Sequence, residues 1–431
     1  MFDRAAALLK IERSEAPAVL AGAAMFFLLF TGYFMLRPVR ETMGIAGGIE
    51  NLQWLFTATF VATLVALPLF GWIASKVPRR QILAWTYGFF IVNLLCFAVL
   101  FSSNADDLWA ARTFYVWLSV FNLLAISLAW SVLVDLLAVP EAKRLFAIIA
   151  AGASLGGLAG PVLGTLLVAP LGHSGLVGLS ALLLTGSTAL AEFLHRWRDR
   201  YPPSQPGQPT RAEPLGGNVF AGATDVFRSG YLTMIALFVV LLAVVTTFLY
   251  FEQARLVKET FPDKVQQTQV FGMIDIAVQS LTLAVQVLLT GRIATRFGIG
   301  ALLVFVPLIM AAGFLCLAVA PVFAVLAFVM IVRRVGEYAL VRPGREMLFT
   351  VVPPEQKYKA KNFIDTAVYR GGDAVGGWIK RGLDILADHP AAAMLIGAGV
   401  ALMWALTGGY LGRRQLEKDR QLRVSTEATP A

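Results

Sequence analysis

Arginine and acidic residues recur inside segments of the chain that are otherwise apolar. The densest such segment holds six charged side chains, Arg333, Arg334, Glu337, Arg342, Arg345 and Glu346. A charged side chain near the centre of a bilayer costs on the order of 2.5–3.5 kcal/mol, so several on one helix require water, a partner or a ligand. These residues are therefore the first candidates for ion pairing or for binding a charged molecule.

Helical spacing sorts this group into two faces. Residues three or four positions apart share a helix face, and one such face comprises Arg334, Glu337, Val341 and Arg345. Arg342 and Glu346 form a second pair, four positions apart. We expect Pro343 and Gly344 to interrupt the helix, because proline removes a backbone donor and an irregular backbone is tolerated where it lines a cavity.

A shorter charged motif ends an earlier apolar segment. Arg37 and Glu41 lie four positions apart, which leaves Arg40 without an obvious acid partner. The same arrangement recurs in the second half of the chain at Arg255, Glu259 and Lys258. Positive charges exceed negative ones in these segments, so we expect an anionic ligand.

The surplus cations define the predicted binding site. Arginine suits phosphate and carboxylate through its fixed fork of donors, whereas lysine supplies a point charge. The predicted substrate contacts are Arg37, Arg40, Lys258, Arg342 and Arg345. The alternative, which weighs equally for Arg37, Glu41, Arg255 and Glu259, is that ion pairs lock the two halves together in one state.

Acidic residues inside apolar segments are candidates for ion pairing or proton coupling. Asp275 and Asp135 are isolated acids, and a buried carboxylate can carry a proton, although a capped or packed structural acid fits both positions equally well. The predicted ion-pair or coupling residues are Glu41, Glu259, Glu337, Glu346, Asp275, Asp365 and Arg370. The histidines, His173, His195 and His389, lie near the ends of apolar segments, which disfavours a histidine relay.

The segments that carry these charges have the length and composition of membrane-spanning helices. Of 431 residues, 58% are apolar and 15% charged, and the mean hydropathy is +0.70. A helical crossing needs roughly 20 mostly apolar residues. We predict about twelve spans, at residues 16–40, 52–75, 81–103, 108–137, 144–169, 174–195, 231–256, 266–290, 299–319, 321–350, 358–385 and 390–412.

A polar, proline-rich stretch divides the spans into two sets of six. We predict an N-terminal half at 1–195, a cytoplasmic linker at 196–230, a C-terminal half at 231–412 and a cytoplasmic tail at 413–431. Lysine and arginine concentrate in alternate loops, which predicts that both termini are cytoplasmic. This bias largely explains the net charge of +9, so nucleic-acid binding is not expected. Cys96 and Cys316 lie in apolar runs, which indicates packing rather than a disulfide or metal site, and no cofactor is expected.

Three short motifs repeat between the halves. They are Arg37-Pro-Val-Arg-Glu-Thr42 and Arg255-Leu-Val-Lys-Glu-Thr260, Gly71-Trp-Ile-Ala-Ser-Lys76 and Gly291-Arg-Ile-Ala-Thr-Arg296, and Pro140-Glu-Ala-Lys143 and Pro354-Glu-Gln-Lys357. Their nearly common offset predicts two parallel repeats related by an axis along the membrane normal. The fold class that follows is an all-α membrane protein with a major facilitator fold of two six-helix repeats.

The second motif resembles the signature that major facilitators carry between helices 2 and 3 and again between 8 and 9. Ser75 and Thr295 stand where that signature usually has an acid. Gly156, Gly160-Pro161 and Gly164 resemble the helix 5 signature of exchangers in the superfamily, although small residues four positions apart also favour close helix packing, which we weigh more heavily.

A distant resemblance to one family is carried by motifs in both halves. Leu36-Arg-Pro-Val-Arg-Glu-Thr42, Glu141-Ala-Lys-Arg-Leu-Phe146, Arg345-Glu-Met347, Lys359-Ala-Lys361 and Asp365 resemble the ATP/ADP translocases of plastids and intracellular bacteria. The resemblance implies that Arg40 and Arg345 occupy the places of family lysines needed for nucleotide transport. An acid that the family places in span 4 is absent near Leu118, where Asn122 is the nearest polar group.

We therefore expect a secondary active transporter of an anionic, phosphorylated metabolite, with nucleotide exchange as the leading case. The alternative is a proton-coupled carrier or exporter of another organic anion, with Asp275, Glu252 or Glu337 as the protonated acid. A membrane receptor or scaffold that kept the fold is a third possibility, against which the expensive charges argue. The glycine runs lie inside spans and no catalytic constellation has supporting context, so an enzyme is not expected. The predicted location is the bacterial inner membrane, where the chain would be a multi-pass monomer in contact with lipid and its small anionic substrate.

Overall fold

The computed structural model describes residues 15–137, 139–201, 222–386 and 390–427. These residues form helices joined by short turns and contain no strand. The helices are α1 (Ala16–Ala46), α2 (Leu52–Lys76), α3 (Arg79–Ser103), α4 (Leu108–Leu136), α5 (Val139–Arg200), α6 (Ala223–Arg228), α7 (Gly230–Thr260), α8 (Lys264–Val285), α9 (Gly291–Val319), α10 (Phe323–Gly336), α11 (Arg342–Leu348), α12 (Pro354–Phe363), α13 (Tyr369–Leu386) and α14 (Pro390–Glu427). Most of the predicted linker and the loop that holds His389 lie outside the described residues.

Within the described residues, eight helical stretches are long and apolar enough to cross a membrane. Two of them bend at glycines with positive φ, Gly172 at 66° and Gly298 at 76°, a backbone conformation that side chains with a Cβ rarely adopt. Each bent stretch therefore supplies two spans. The charged segments at 323–351 and 354–386 supply two more, which gives twelve and confirms the predicted fold class.

Three π turns occur in the described residues, at Gln286–Thr290, Glu337–Val341 and Ile364–Val368. The second lies directly before α11, and the predicted interruption at Pro343 and Gly344 is wrong. The helix continues through both residues, and the π turn before Pro343 accommodates its missing N–H. The irregularity lies a few residues earlier, in the π turn.

Some helices extend beyond the apolar segments that predicted them. The α5 helix continues to Arg200, within the predicted linker, and α14 continues to Glu427, within the predicted tail. A helix satisfies its own backbone in water as well as in lipid, so charged residues end the apolar span without ending the helix.

The chain divides into two compact units. Unit 1 comprises Met1–Gly47, Val65–Gly217 and Asp263–Ile276, and unit 2 comprises Gly48–Leu64, Asn218–Pro262 and Ala277–Ala431. Each unit thus includes the first part of one helix, α2 or α8, from the other half of the sequence. The predicted domain boundaries themselves stay a prediction.

Unit 1 is built on an intimate contact between α1 and α5. A Cβ added at Gly152 would lie 2.1 Å from the carbonyl oxygen of Ala23, and one added at Gly156 would lie 2.4 Å from that of Phe27. Gly160 continues the row, at 2.7 Å from the Thr31 carbonyl oxygen. Small residues at steps of four therefore allow the backbones to touch, the packing role that we weighed more heavily.

The same row of glycines contains a sequence motif that could be mistaken for a catalytic one. Gly152-Ala-Ser-Leu-Gly156 matches the letters of the hydrolase nucleophile elbow, which requires a sharp turn from strand to helix. Here the motif lies inside α5, and the Ser154 hydroxyl donates to the Ala150 carbonyl of its own helix at 3.4 Å. It therefore serves helix packing.

Unit 2 uses glycines in the same way between α9 and α14. A Cβ at Gly408 would lie 2.8 Å from the Leu303 carbonyl oxygen, and one at Gly412 would lie 2.5 Å from the Gly300 Cα. Nearby, α13 approaches α7, where Gly372 and Gly376 face Val240 and Val244. Between these packed helices Arg333 and Glu337 are buried, whereas Arg342 is exposed.

Candidate functional site

Arg40, on α1 of unit 1, is held by groups on α4. Its Nε donates to the Tyr115 carbonyl oxygen at 3.3 Å and to the Ser119 hydroxyl at 3.2 Å. The guanidinium carbon lies 3.8 Å from the centre of the Tyr115 ring, within the range of a cation–π contact. Polar and aromatic contacts from one helix therefore fix the direction of this arginine.

The expectation that Arg40 lacks an acid partner is wrong. Its Nη1 lies 3.0 Å from Oε1 of Glu41, and both side chains are partly buried. Adjacent residues do not face each other on a helix, but the arginine side chain is long enough to bend back to its neighbour. Glu41, predicted to pair with Arg37, thus forms an ion pair with Arg40.

Arg37 approaches a different acid. Its Nε lies 3.9 Å from Oδ2 of Asp275, on the part of α8 that belongs to unit 1, and the Asp275 side chain is 5% exposed. Asp275 is therefore no isolated acid, because a guanidinium from α1 faces it. Asp135, the other acid considered for coupling, is exposed at the end of α4.

Unit 1 also holds a chain of hydroxyl contacts near the start of α8. The Thr42 and Thr268 hydroxyl oxygens lie 2.7 Å apart, and Nε2 of His173 lies 2.9 Å from the Thr268 oxygen. Lys264 at the helix start donates to Asp106 at 2.7 Å in the loop before α4, and this ammonium lowers the pKa of the exposed Asp106 carboxyl. These contacts attach the first turns of α8 to unit 1.

In unit 2, Glu337 lies between two arginines. Its Oε2 accepts from Arg333 at 2.9 Å, with side chains 6% and 7% exposed, and its Oε1 lies 3.8 Å from Arg342. Arg333 also donates to the Thr246 hydroxyl of α7 at 3.1 Å. A buried charge persists only with such partners, so Arg333 and Glu337 form a structural pair with Arg342 at its exposed edge.

Arg345 pairs with a residue of the π turn before α13, and Glu346 pairs with a residue of α12. Arg345 Nη2 lies 3.0 Å from Oδ1 of Asp365, and Lys361 Nζ donates to Glu346 at 2.6 Å. The predicted partner of Glu346 was Arg342. The structure pairs the two differently because the π turn brings Arg342 over Glu337, while α12 brings Lys361 to Glu346.

The other predicted site residues are less enclosed or are paired locally. Arg255 bridges Glu252 and Glu259 on its own helix, whereas Lys258 is exposed near the end of α7. Arg370 lies 3.6 Å from the buried Asp373 one turn along α13. Neither group adds to the enclosed arginines.

The structure thus gathers Arg37 and Arg40 in unit 1, and Arg342 and Arg345 in unit 2. Sequence reasoning missed the neutral groups that orient them, Tyr115, Ser119 and Thr246, because neutral residues in an apolar span carry no distinguishing signal. It also missed Arg333 as a partner of Glu337, although their four-residue spacing was a readable signal.

The described residues form ten apolar spans and two charged ones with paired charges held inside them, which is the form of a multi-pass membrane transporter, since such charges mark substrate or ion pathways. Comparison with known proteins gives the family: residues 19–372 match the family model of the Major Facilitator Superfamily, and the chain belongs to that superfamily. It is a major facilitator transporter, which confirms the prediction that it is not an enzyme and that a small molecule is carried within a lipid bilayer.

Solved structures share the fold at low sequence identity. A bacterial homologue of the iron transporter ferroportin, in an inward-facing state, matches with a TM-score of 0.65 and 12% identity over 93% of this chain and 98% of that one. The nucleoside transporter NupG matches with a TM-score of 0.60 and 14% identity over 93% and 99%. A bacterial homologue of the human lysosomal transporter Spinster matches with a TM-score of 0.59 and 13% identity over 94% of this chain and 98% of that one. No curated protein matches this sequence.

Proposed function

We propose that this protein is a secondary active transporter of an anionic, phosphorylated metabolite that works by alternating access, with nucleotide exchange as the leading case. The observation that carries the proposal is the environment of Arg40. The guanidinium is oriented by an aromatic ring, a hydroxyl and a carbonyl, and the neighbouring Glu41 carboxylate forms an ion pair with it.

That arrangement suits a binding site that holds no substrate during part of the transport cycle. An unpaired arginine inside the membrane would be costly, so Glu41 stabilises it when no substrate is bound. A phosphate offers more negative charge and a bidentate match to the guanidinium, and it can displace the carboxylate. Arg345 has the same combination of an enclosed guanidinium and one carboxylate, Asp365.

The nucleotide assignment rests on the resemblance to ATP/ADP translocases. Arg40 and Arg345 stand at the positions of two lysines that this family needs for nucleotide transport. The span 4 acid of that family is absent near Leu118, and on the same helix the Tyr115 carbonyl and the Ser119 hydroxyl accept hydrogen bonds from Arg40. We propose that this change alters which phosphorylated metabolite is accepted while keeping an anion site.

Counterflow into liposomes tests the proposal. Purified protein reconstituted with unlabelled ADP inside should take up labelled ADP from outside, and uptake should fall to background when the interior contains no nucleotide. A panel of nucleotides and sugar phosphates would identify the preferred anion. Absence of exchange for every member of the panel would contradict the proposal.

A proton-coupled carrier of another organic anion is the second candidate. The observation that favours it is the burial of Asp275, 5% exposed, beside Arg37 at the long distance of 3.9 Å. A carboxylate in such a place can exchange its cation partner for a proton. This candidate requires uptake driven by a pH gradient and lost in Asp275→Asn.

We further propose that the protein resides in a bacterial inner membrane as a monomer, with both termini on the cytoplasmic side. The distribution of lysine and arginine among the loops supports this orientation. Accessibility of the two termini to a protease added to spheroplasts, whose outer membrane has been opened, tests it, because cytoplasmic termini would stay uncut and periplasmic termini would be cleaved.

A further inference from the structure

Two side chains of one π turn donate hydrogen bonds to the backbone of another. Gln286 Nε2 lies 3.2 Å from the Tyr338 carbonyl oxygen, and the Thr290 hydroxyl lies 2.8 Å from that of Ala339. Gln286 and Thr290 are the first and last residues of the π turn between α8 and α9. Tyr338 and Ala339 lie in the π turn between α10 and α11.

Pro343 explains why these two carbonyls need outside donors. In a π turn the Tyr338 carbonyl would accept from the N–H five positions later, and in an α turn the Ala339 carbonyl would accept from the N–H four positions later. Both positions are residue 343, and proline has no N–H. Inside a bilayer, where no water replaces the missing donor, each such carbonyl requires a protein partner.

The surroundings of Thr290 and Gln286 favour hydrogen bonds to the second π turn over the alternatives on their own helix. The Thr290 hydroxyl has a single hydrogen, and its distance to the Ala339 oxygen is 2.8 Å, compared with 3.2 Å to the Val285 oxygen of its own helix. Gln286 is an exposed polar residue beside the exposed, apolar Val287 and Leu288. A glutamine among such neighbours would be costly without an acceptor.

The π turn that these donors hold determines where the downstream arginines point. Residues five positions apart on an α-helix are separated by about 140° around the axis. Arg342 nevertheless reaches Glu337, five positions earlier, at 3.8 Å, because the wider turn brings the two onto one face. Arg345 lies about one turn further along the helix. The change of register at the π turn therefore also sets the direction of its side chain, which forms an ion pair with Asp365.

We propose that Thr290 and Gln286 are positioning residues for the anion site: through the Tyr338 and Ala339 carbonyls they keep the π turn that directs Arg342 and Arg345. The inference rests on the proposed function, because those arginines are the proposed ligands of the anion. Neither donor touches the substrate. Their loss would let the turn shift its register and move both guanidinium groups.

The transport test compares two changes at Thr290 by counterflow of labelled ADP. Thr290→Val keeps the side-chain shape but removes the donor, and should raise the KM by about three- to tenfold with little change in maximal rate. Thr290→Ser restores the hydroxyl and should restore the KM. Thr407→Val is the matched control, because the Thr407 hydroxyl donates to its own helix at Met403. Wild-type KM in Thr290→Val, or an equal rise in Thr407→Val, would overturn the inference.

A second measurement does not depend on which substrate is carried. With Cys96 and Cys316 changed to serine, a single Arg342→Cys reports the exposure of position 342, where the native side chain is 57% exposed. Thr290→Val and Gln286→Leu should each change the maleimide labelling rate at that cysteine by about threefold or more, and Thr407→Val should not. Unchanged rates in both variants would refute the positioning role. If wild-type protein exchanges no ADP, the nucleotide proposal fails, while these labelling rates still decide the inference.

Discussion

Arg345 and Asp365 form an ion pair with 3.0 Å between Nη2 and Oδ1, and they come from two different charged segments of unit 2. The arginine side chain is 12% exposed and the aspartate 31%, so the carboxylate has the readier access to solvent. A substrate anion would have to compete with this carboxylate for the guanidinium.

Removing the competing carboxylate should therefore strengthen substrate binding. We expect Asp365→Asn to lower the KM for the exchanged anion by about two- to fivefold, equivalent to roughly 0.5–1 kcal/mol for a partly exposed pair. The measurement is the concentration dependence of counterflow. Asp384→Asn, which removes the acid partner of Lys380 on the same helix, is the control and should leave the KM unchanged. A higher KM in Asp365→Asn would show that the aspartate supports the anion site.

Arg40 should be more sensitive to substitution than an arginine at the surface. Arg40→Ala leaves Glu41 without its cation, and we expect exchange to fall at least about tenfold. Arg40→Lys keeps the charge but loses the donor fork and the stacking on Tyr115. Its activity should therefore lie between those of the wild type and Arg40→Ala. Initial exchange rates, normalised to reconstituted protein, provide the comparison. Arg196→Ala, at an exposed pair with Glu192, should retain full exchange, and equal losses at positions 40 and 196 would contradict a site at Arg40.

The Thr42 and Thr268 hydroxyls should be energetically coupled. Both residues are fully buried and their oxygens lie 2.7 Å apart. We expect a double-mutant cycle with Thr42→Val and Thr268→Val to give a coupling of about 0.6 kcal/mol, and no more than about 1.7 kcal/mol, in the free energy of unfolding. Additive effects of the two substitutions would mean that the hydrogen bond does not contribute to stability.

Gly156 should tolerate no side chain. A Cβ there would lie 2.4 Å from the Phe27 carbonyl oxygen, so Gly156→Ala must push α1 and α5 apart, and we expect a loss of about 1–3 kcal/mol of stability. Thermal unfolding in detergent measures the effect. Gly178→Ala, on the same long helix, brings its Cβ within 4 Å of no atom beyond its own stretch of helix and should unfold at or slightly above the wild-type temperature, because alanine favours a helix more than glycine does. Similar unfolding temperatures for both variants would rule out the close contact.

Hydropathy and spacing were sufficient for the fold because a bilayer imposes one rule on every span. The backbone must satisfy its own hydrogen bonds, so length and apolar composition identify a helix without knowledge of its neighbours. The bends at Gly172 and Gly298 were predicted as loops between spans, which agrees with their position. The π turns were not predicted, because a proline in sequence shows which donor is missing but not how the chain accommodates the loss.

The site was predictable in its charged residues and not in their pairing. Arg40 and Arg345 stood out because charge inside an apolar span is rare. Helical spacing then assigned Glu41 to Arg37 and Glu346 to Arg342, whereas the structure gives Arg40 and Lys361 as their partners. Spacing along one helix cannot include an acid or a lysine from another segment, and it assumes a regular α-helix where a π turn shifts the register.

All three π turns of the described residues lie in unit 2, while the described part of unit 1 joins α1 to α5 by direct backbone contact. A π turn differs from an α turn by one residue, so a helix that contains one can pass the bulge along its length by exchanging single hydrogen bonds. Both units also contain helix pairs whose backbones touch, so the π turns are what sets the described part of unit 2 apart. A one-residue shift of such a turn would rotate the helix face that holds Arg342 and Arg345 without separating the packed backbones around it.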